Sequence, residues 1–393
     1  MKEAIIKLFN DIFNYNSKGN LYFSPGRVNL IGEHTDYTGG LVLPFGIDKG
    51  TYIFAVKNNS SKINIYSDNF KDGIISIETE SSMIKKSHWS DYFKAVLYVL
   101  SNDSYSINSG FDAVIAGNIP DSAGLSSSAS FEMVSMICLL DQNGYTIPQP
   151  GSEKMVELSL KGQQAENQFI GLQCGIMDQF ACANAKKGQA IELNCDTLSF
   201  QYAPLETGEY EILVINTNKK RRLEESKYNE RRLECEKGFE LLKKLGITEK
   251  KLGNVGLDRY NTVKDGINDE LLTKRLDHVI QENERVKKAV ENLKNNDIMG
   301  LAKQINVSGD SLREKYEVTG FHLDLLVDIA RSTEGVIASR MTGAGFGGCT
   351  VNIVQSGKLE QLCNTISNKY TNDSGIKPDF YSFNAGNGTC KLF

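Results

Sequence analysis

The sequence is short of the features that mark most specialised classes of protein. No apolar run approaches the roughly 18 residues that a membrane-spanning helix needs, so a helical span is not expected. The opening residues, MKEAIIKLFNDIFNYN, are amphipathic and partly acidic, and they lack the pattern of a cleaved secretory signal. There is no basic excess. The formal net charge is −5 over 393 residues, which argues against a general nucleic-acid binder. Internal repeats and low-complexity tails are missing. The eight cysteines include no C-x-x-C pair and have no histidine at ligand spacing. They read as reduced, buried thiols of a cytoplasmic protein and not as disulfides or a zinc site. His88, His278 and His322 belong to no motif that pairs them with a catalytic acid or nucleophile, so ordinary surface or core roles are expected of them. Only His34 sits inside a chemical cluster.

What is present is ordinary for a globular protein: 40% hydrophobic and 24% charged residues. The length favours two domains. We place the boundary near residue 200, giving 1–200 and 201–393, with the final strands free to return to the first domain. Helical periodicity covers residues 4–15, 89–100 and 153–170, and a helix that is apolar nearly all round starts near Phe131. Strands are expected at 21–23, 28–31, 111–116, 190–193, 210–216 and 351–354, and near 381–383. Residues 51–56 and 62–67, rich in β-branched and aromatic side chains around Asn58-Asn59-Ser60-Ser61, carry a hairpin signature. After Asn216 the chain becomes strongly charged, as expected of a long surface helix. Its basic start, Lys219-Lys220-Arg221-Arg222, is interleaved with Glu224, Glu225 and Glu230, the pattern of a solvated face.

Three glycine-rich stretches carry the chemistry. The first, PGRVNLIGEHTDYTGG (25–40), sets Arg27, Glu33, His34, Thr35 and Asp36 beside a buried apolar segment. Such polar density is costly unless the groups pair with each other or with a ligand. The second, IPDSAGLSSSAS (119–130), lies between a strand and a helix. A Gly/Ser turn at a helix N-terminus offers free N–H groups and the positive end of the dipole, a geometry suited to phosphate. It is not a Walker A loop, because no Gly-Lys-Ser/Thr follows. The third, MTGAGFGGCT (341–350), reads equally as a close-approach loop or as a tight strand connection. Between the second and third, Asp178 stands in an apolar, glycine-punctuated run. On the helix before it, Glu166 could complete a hard-oxygen Mg²⁺ site with a serine hydroxyl.

Taken together, the three stretches resemble those of the GHMP small-molecule kinases, and the first resembles most the galactokinase branch. Residues 25–37 are similar to that branch's signature almost letter for letter, and 124–130 resemble its phosphate loop. Residues 342–349 resemble its third motif. Cys174-Gly175-Ile176-Met177-Asp178-Gln179-Phe180, Ser226-Lys227-Tyr228 and Arg231-Arg232 also match. The resemblance implies an α+β, two-domain GHMP kinase-like fold. Its N-terminal part would be ribosomal-protein-S5-domain-2-like, with a left-handed βαβ crossover, and its C-terminal part ferredoxin-like. It further implies ATP- and Mg²⁺-dependent phosphorylation of D-galactose at the anomeric hydroxyl by a cytoplasmic monomer whose partners are small molecules, with no nucleic acid and no membrane.

The roles implied by the resemblance are specific. Asp178 would be the base, and Arg27 the cation that keeps it ionised or stabilises the moving phosphoryl group. Glu33, His34, Thr35, Asp36, Gly175 and Tyr228 would hold the sugar. Gly124, Leu125, Ser126, Ser127, Ser128, Ala129 and Ser130 would cradle the triphosphate, with Ser67 near the nucleotide. Ser130 and Glu166 would bind Mg²⁺. One position departs from the family pattern, Ser122, where glycine is usual. The alternatives are a related kinase for N-acetylgalactosamine, galacturonate or arabinose, and a non-catalytic galactose and ATP sensor. Known sensors have a defective serine-rich loop, whereas Ser128-Ala129, Asp178 and Arg27 are intact here.

Overall fold

Helix α1 (Lys2–Phe13) leads into β1 (Asn20–Asn29), β2 (Leu41–Val42), β3 (Pro44–Lys57), β4 (Lys62–Ser67) and β5 (Ile75–Glu78). Then follow α2 (Ser90–Ser101), β6 (Phe111–Gly117), α3 (Ser127–Gln142), α4 (Glu153–Gln164) and α5 (Met177–Asn184). The middle of the chain forms β7 (Gln189–Asn194), β8 (Phe200–Pro204), β9 (Tyr210–Asn216), α6 (Glu224–Lys244), α7 (Leu257–Val263) and α8 (Glu270–Lys294). It closes with α9 (Ile298–Ser311), α10 (Phe321–Arg331), β10 (Val336–Thr342), β11 (Cys349–Gln355), α11 (Leu359–Ser374), β12 (Asp379–Ser382) and β13 (Cys390–Lys391). This computed structural model describes all residues except 16, 80–83, 121–122 and 220–223, together with the backbone alone of 224–226. Ser122 and the basic residues 220–222 therefore lie outside the described residues.

Six strands form the first sheet, in the order β13-β1-β3-β6-β4-β5. One face packs Leu21, Phe54, Val56 and Val114 against Ile5 and Phe9 of α1. The other face carries Ile53, Ile65, Ala113 and Ile115 onto α2 and α3. Helix α3 is buried nearly all round, as its apolar sequence requires.

The expected hairpin between β3 and β4 does not form, because β6 lies between them. β4 pairs with β6 in parallel and with β5 in antiparallel register. A parallel neighbour needs a crossover, supplied here by β5 and α2. The four-residue link 58–61 is long enough to bridge past β6, and Gly110 fits the gap. A Cβ on Gly110 would stand 2.2 Å from the Lys62 carbonyl. Turn composition signalled a reversal correctly, but pairing was decided by strands far away in sequence.

Four antiparallel strands form a second sheet, β10-β11-β9-β12. Helices α10 and α11 cover one face through Leu326, Leu362, Ile366 and Tyr370. Helices α8 and α9 cover the other through Val286, Val290, Leu301 and Ile305. The stretch 341–350 is the turn joining β10 to β11, with positive φ at Gly343, Gly345, Phe346, Gly347 and Gly348. A small third sheet, β2-β7-β8, holds the strand that begins at residue 200. β13 leaves the second half altogether and pairs with β1, Tyr22 opposite Lys391 and Phe23 opposite Cys390. No helix among the described residues is long and apolar enough to cross a membrane.

Candidate active site

β1 and the chain just beyond it build one wall. Between Pro25 and Arg27 the β1–β3 register shifts, a bulge where proline, lacking an N–H, is tolerated. There the strand meets the phosphate loop. The Arg27 N–H donates to the Leu125 carbonyl at 3.1 Å, and a Cβ on Gly26 would be 2.6 Å from that same oxygen. Past β1, Gly32 takes a positive φ of 96° and turns the chain, so that Glu33 to Asp36 face the second half of the molecule.

Glu33 is 1% exposed. Its Oε1 accepts from Gly343 N at 2.9 Å, Thr342 Oγ1 at 3.1 Å and Arg340 Nη1 at 3.3 Å. The first and third sequence motifs thus meet on one carboxylate. His34 lies with Nε2 3.1 Å from the Ala344 carbonyl and Nδ1 3.0 Å from the Tyr37 hydroxyl. A carbonyl can only accept, so Nε2 carries the proton and Tyr37 donates to Nδ1. Burial, with His278 and Arg231 adding to it, lowers the His34 pKa to about 3, and the ring is neutral. Its nitrogens are engaged within the protein, so His34 shapes the wall more than it offers free polar groups.

Thr35 differs from expectation. It is fully buried, and its hydroxyl bonds the carbonyls of Gly32 and Leu41 at 2.8 and 2.7 Å. This side chain closes the turn and does not face the cavity. Asp36 does face it, packed so tightly on Gly175 that a Cβ there would stand 1.9 Å from Asp36 Oδ2. Burial first, then the charge of Asp178, raises the Asp36 pKa to about 7.

Arg27, Glu33, His34, Asp36, Gly175, Asp178 and Tyr228 line a cavity of about 170 Å³, closed by Gly343 and Ala344 of the glycine turn. Tyr228 enters from α6, its ring 5.6 Å from that of His34. At one end of the cavity, in the first turn of α5, Asp178 Oδ1 accepts from Arg27 Nε at 2.8 Å and lies 2.7 Å from Nη2. Its Oδ2 accepts from Ser126 Oγ at 2.5 Å. Arg27 Nη1 donates to the Gly124 carbonyl at 2.7 Å. Burial works against the charge on Arg27, but Asp178 and Glu33 outweigh it and its pKa is raised.

A larger cavity, about 730 Å³, is bordered by Ser67, Phe70, Trp89, Ser127, Ser128 and Phe131 among others. Ser126 takes a left-handed φ of 59° as the cap of α3. Leu125 and Ala129 are buried and hold the loop down. Ser130 is a correction. Its hydroxyl is 0% exposed, donates to the Ser24 carbonyl at 2.7 Å and meets Thr51 Oγ1 at 2.9 Å. The serine whose hydroxyl acts on the Glu166 carboxylate, favouring its charged form against burial, is Ser128. Two residues apart on a helix means about 200° of rotation, so the two serines point to opposite sides.

Among the described residues no group of three or more His, Cys, Asp or Glu side chains could by itself hold a metal ion. Mg²⁺ does not require one, since it is commonly bound by one or two protein oxygens with waters and substrate phosphates. Glu166, 6% exposed beside Ser128, fits that donor set. Burial raises its pKa, so a cation at its oxygens would relieve an unfavourable charge.

Sequence reasoning missed several partners. Arg340, fully buried, ties the carbonyls of Leu30 and Asn29 to Glu33. Its signal was an arginine inside the apolar strand VIASRMT. Tyr316, joined to Tyr37 at 2.7 Å, gave none.

Comparison with known proteins decides the family. Residues 7–57 match the galactokinase galactose-binding signature, 91–186 the GHMP kinases N terminal domain, and 289–372 the GHMP kinases C terminal model. A galactokinase of Fusobacterium nucleatum is 44% identical over 394 residues, covering 100% of both chains. The chain belongs to the galactokinase family. Another galactokinase, from Clostridium acetobutylicum, is 44% identical over 98% of this chain and 97% of its own. The crystal structure of Lactococcus lactis galactokinase complexed with galactose covers 100% of both chains at 37% identity and a TM-score of 0.93. A mevalonate kinase shares the fold at a TM-score of 0.63 and 17% identity. The galactokinase chain described here is thus an α+β, two-domain GHMP kinase.

Proposed function

We propose that this galactokinase transfers the γ-phosphoryl group of ATP to the anomeric hydroxyl of D-galactose, giving α-D-galactose 1-phosphate and ADP. One observation carries the reading. Asp178 and Arg27 line a cavity of about 170 Å³, and Asp178 accepts from Ser126, whose chain neighbours Ser127 and Ser128 border a second cavity of about 730 Å³. The smaller suits a single hexose ringed by hydrogen-bonding groups, and the larger suits a nucleotide.

A sugar hydroxyl is a poor nucleophile at neutral pH, and Asp178 is the carboxylate positioned to accept its proton. The guanidinium of Arg27 balances the Asp178 charge where a polyanion must approach, and through Gly124 it fixes the phosphate loop to the sugar wall. The free N–H groups at the start of α3, with the hydroxyls of Ser127 and Ser128, receive the phosphates. Positioning and charge stabilisation then supply most of the rate. Ser128 and Glu166 would hold Mg²⁺, which when bound neutralises charge on the phosphate oxygens. Glu33 and Asp36 accept from sugar hydroxyls. An epimer with a misplaced hydroxyl leaves such buried groups unpaired, and this is the source of selectivity. The free thiols at all eight cysteines support action in a reducing compartment.

The test is ADP release across galactose, N-acetylgalactosamine, galacturonate and arabinose, with ³¹P NMR of the product. Release with galactose and an anomeric phosphate supports the proposal. Faster release with another sugar of the panel overturns the substrate, and binding without release overturns the enzyme.

A further inference from the structure

Helix α5 presents Asp178 to the cavity, and its next residue faces the interior. Gln179 is wholly buried, and its Nε2 donates to two carboxylates, Glu166 Oε2 at 2.7 Å and Glu132 Oε2 at 3.0 Å. The Cys174 thiol meets the same Glu166 oxygen at 3.2 Å. Glu132 is 0% exposed on α3, one turn inward from the phosphate loop. The other oxygens of both residues, Glu132 Oε1 and Gln179 Oε1, have no hydrogen-bond partner among the described residues.

Buried polar atoms are nearly always paired, and an exception asks for a reason. An apolar pair of similar size would fill this space without the desolvation penalty. Stability therefore does not explain why an acid and an amide stand here, and neither lines either cavity. What they do reach is Glu166. Two donors, Gln179 and Cys174, hold its Oε2 from behind and leave Oε1 for the side of the metal–nucleotide site.

We propose that Gln179, anchored by Glu132, is a positioning residue that aims the Glu166 carboxylate at the metal–nucleotide site. The proposal rests on the reading of Glu166 and Ser128 as Mg²⁺ ligands. Removing a hydrogen-bond partner of a metal ligand typically weakens metal binding about 10- to 100-fold. The anchor needs only an acceptor at residue 132, which a glutamine also provides.

The experiment measures Mn²⁺ binding to the enzyme–ADP complex by EPR, with galactose affinity measured separately by calorimetry without metal. Gln179→Leu and Glu132→Leu are expected to raise the Mn²⁺ Kd about 10- to 100-fold and to leave galactose affinity unchanged. Glu132→Gln should restore binding to near that of the parent enzyme. The Glu132→Leu/Gln179→Leu double variant should melt no lower than the parent and still bind Mn²⁺ poorly. Unchanged Mn²⁺ affinity in Gln179→Leu, with Glu166→Gln abolishing it, overturns the proposal alone. Mn²⁺ binding that survives Glu166→Gln overturns the metal reading and the proposal with it. A double variant that loses stability and keeps Mn²⁺ affinity makes the cluster purely structural.

Discussion

Replacing Gly175 by alanine adds one methyl group at the tightest point of the sugar wall. That carbon would stand 1.9 Å from Asp36 Oδ2, 2.4 Å from Cγ and 2.9 Å from Cβ. Because even Cβ is too close, swinging the tip of the side chain does not relieve the clash, and Asp36 has to leave its rotamer. Gly175 is not among the residues with positive φ, so alanine suits its backbone and the effect is steric. Off-rotamer strain is worth about 0.5–1.5 kcal/mol, and a lost hydrogen bond to a charged group about 1.5–3 kcal/mol. Together they come to about 2–4.5 kcal/mol, or roughly 30- to 1,600-fold in binding at about 1.4 kcal/mol per decade. Calorimetry should therefore show galactose affinity down by about two orders of magnitude. The KM for ATP should hold, since neither residue borders the larger cavity. If the clash acts through Asp36, Asp36→Ala in the same chain adds little further loss, because the two changes remove one interaction. Unchanged galactose affinity in Gly175→Ala, or losses that add in full, would refute the reasoning.

Asp178→Asn keeps size and shape, so both substrates should bind while turnover falls about 10²- to 10⁴-fold. Turnover near that of the parent would remove Asp178 as the base. The Asp36 pKa is raised from 3.8 to about 7 in the fold, so its stabilising share is complete below 3.8 and is lost as pH rises through about 7. Asp36→Asn should then stabilise the fold more at pH 8 than at pH 5, by at most about 3 kcal/mol before solvent screening, read as a larger rise in melting temperature at pH 8. An equal shift at both pH values would contradict this. Thr35→Val should lower stability by about 1–2 kcal/mol and leave the galactose KM nearly unchanged. A higher KM without a lower melting temperature would return Thr35 to the sugar.

Chemistry was more legible in the sequence than topology. Glu33 and Asp36 face the cavity because the glycine turn after β1 presents them, and such a turn can be read from composition; Arg27 on β1 and Asp178 on α5 were legible through the resemblance of their motifs. The β3–β4 hairpin failed because period and turn residues specify strands but not partners, and β6 arrives from some fifty residues later. Thr35 and Ser130 failed differently. Both are hydroxyls inside motifs, and a motif does not show which of its members the fold turns inward. For Ser130 the helical angle from Ser128 was a usable signal. For Thr35 nothing distinguished its hydroxyl from its neighbours'. The Glu132–Gln179–Glu166 cluster spans three helical segments and could be seen only in three dimensions.

The return of β13 to β1 changes what counts as half of this molecule. Leu392 N donates to the Leu21 carbonyl at 2.7 Å, and Thr389 Oγ1 reaches Ser24 Oγ at 2.8 Å. A chain severed between β8 and β9 would therefore not yield two self-sufficient pieces. The first fragment would carry the sugar wall on a strand with an open edge, a template for unwanted pairing. The second would carry the strand that closes that edge. Expressed together the fragments should recognise each other, so a cut in this linker offers a split enzyme whose activity reports reassembly.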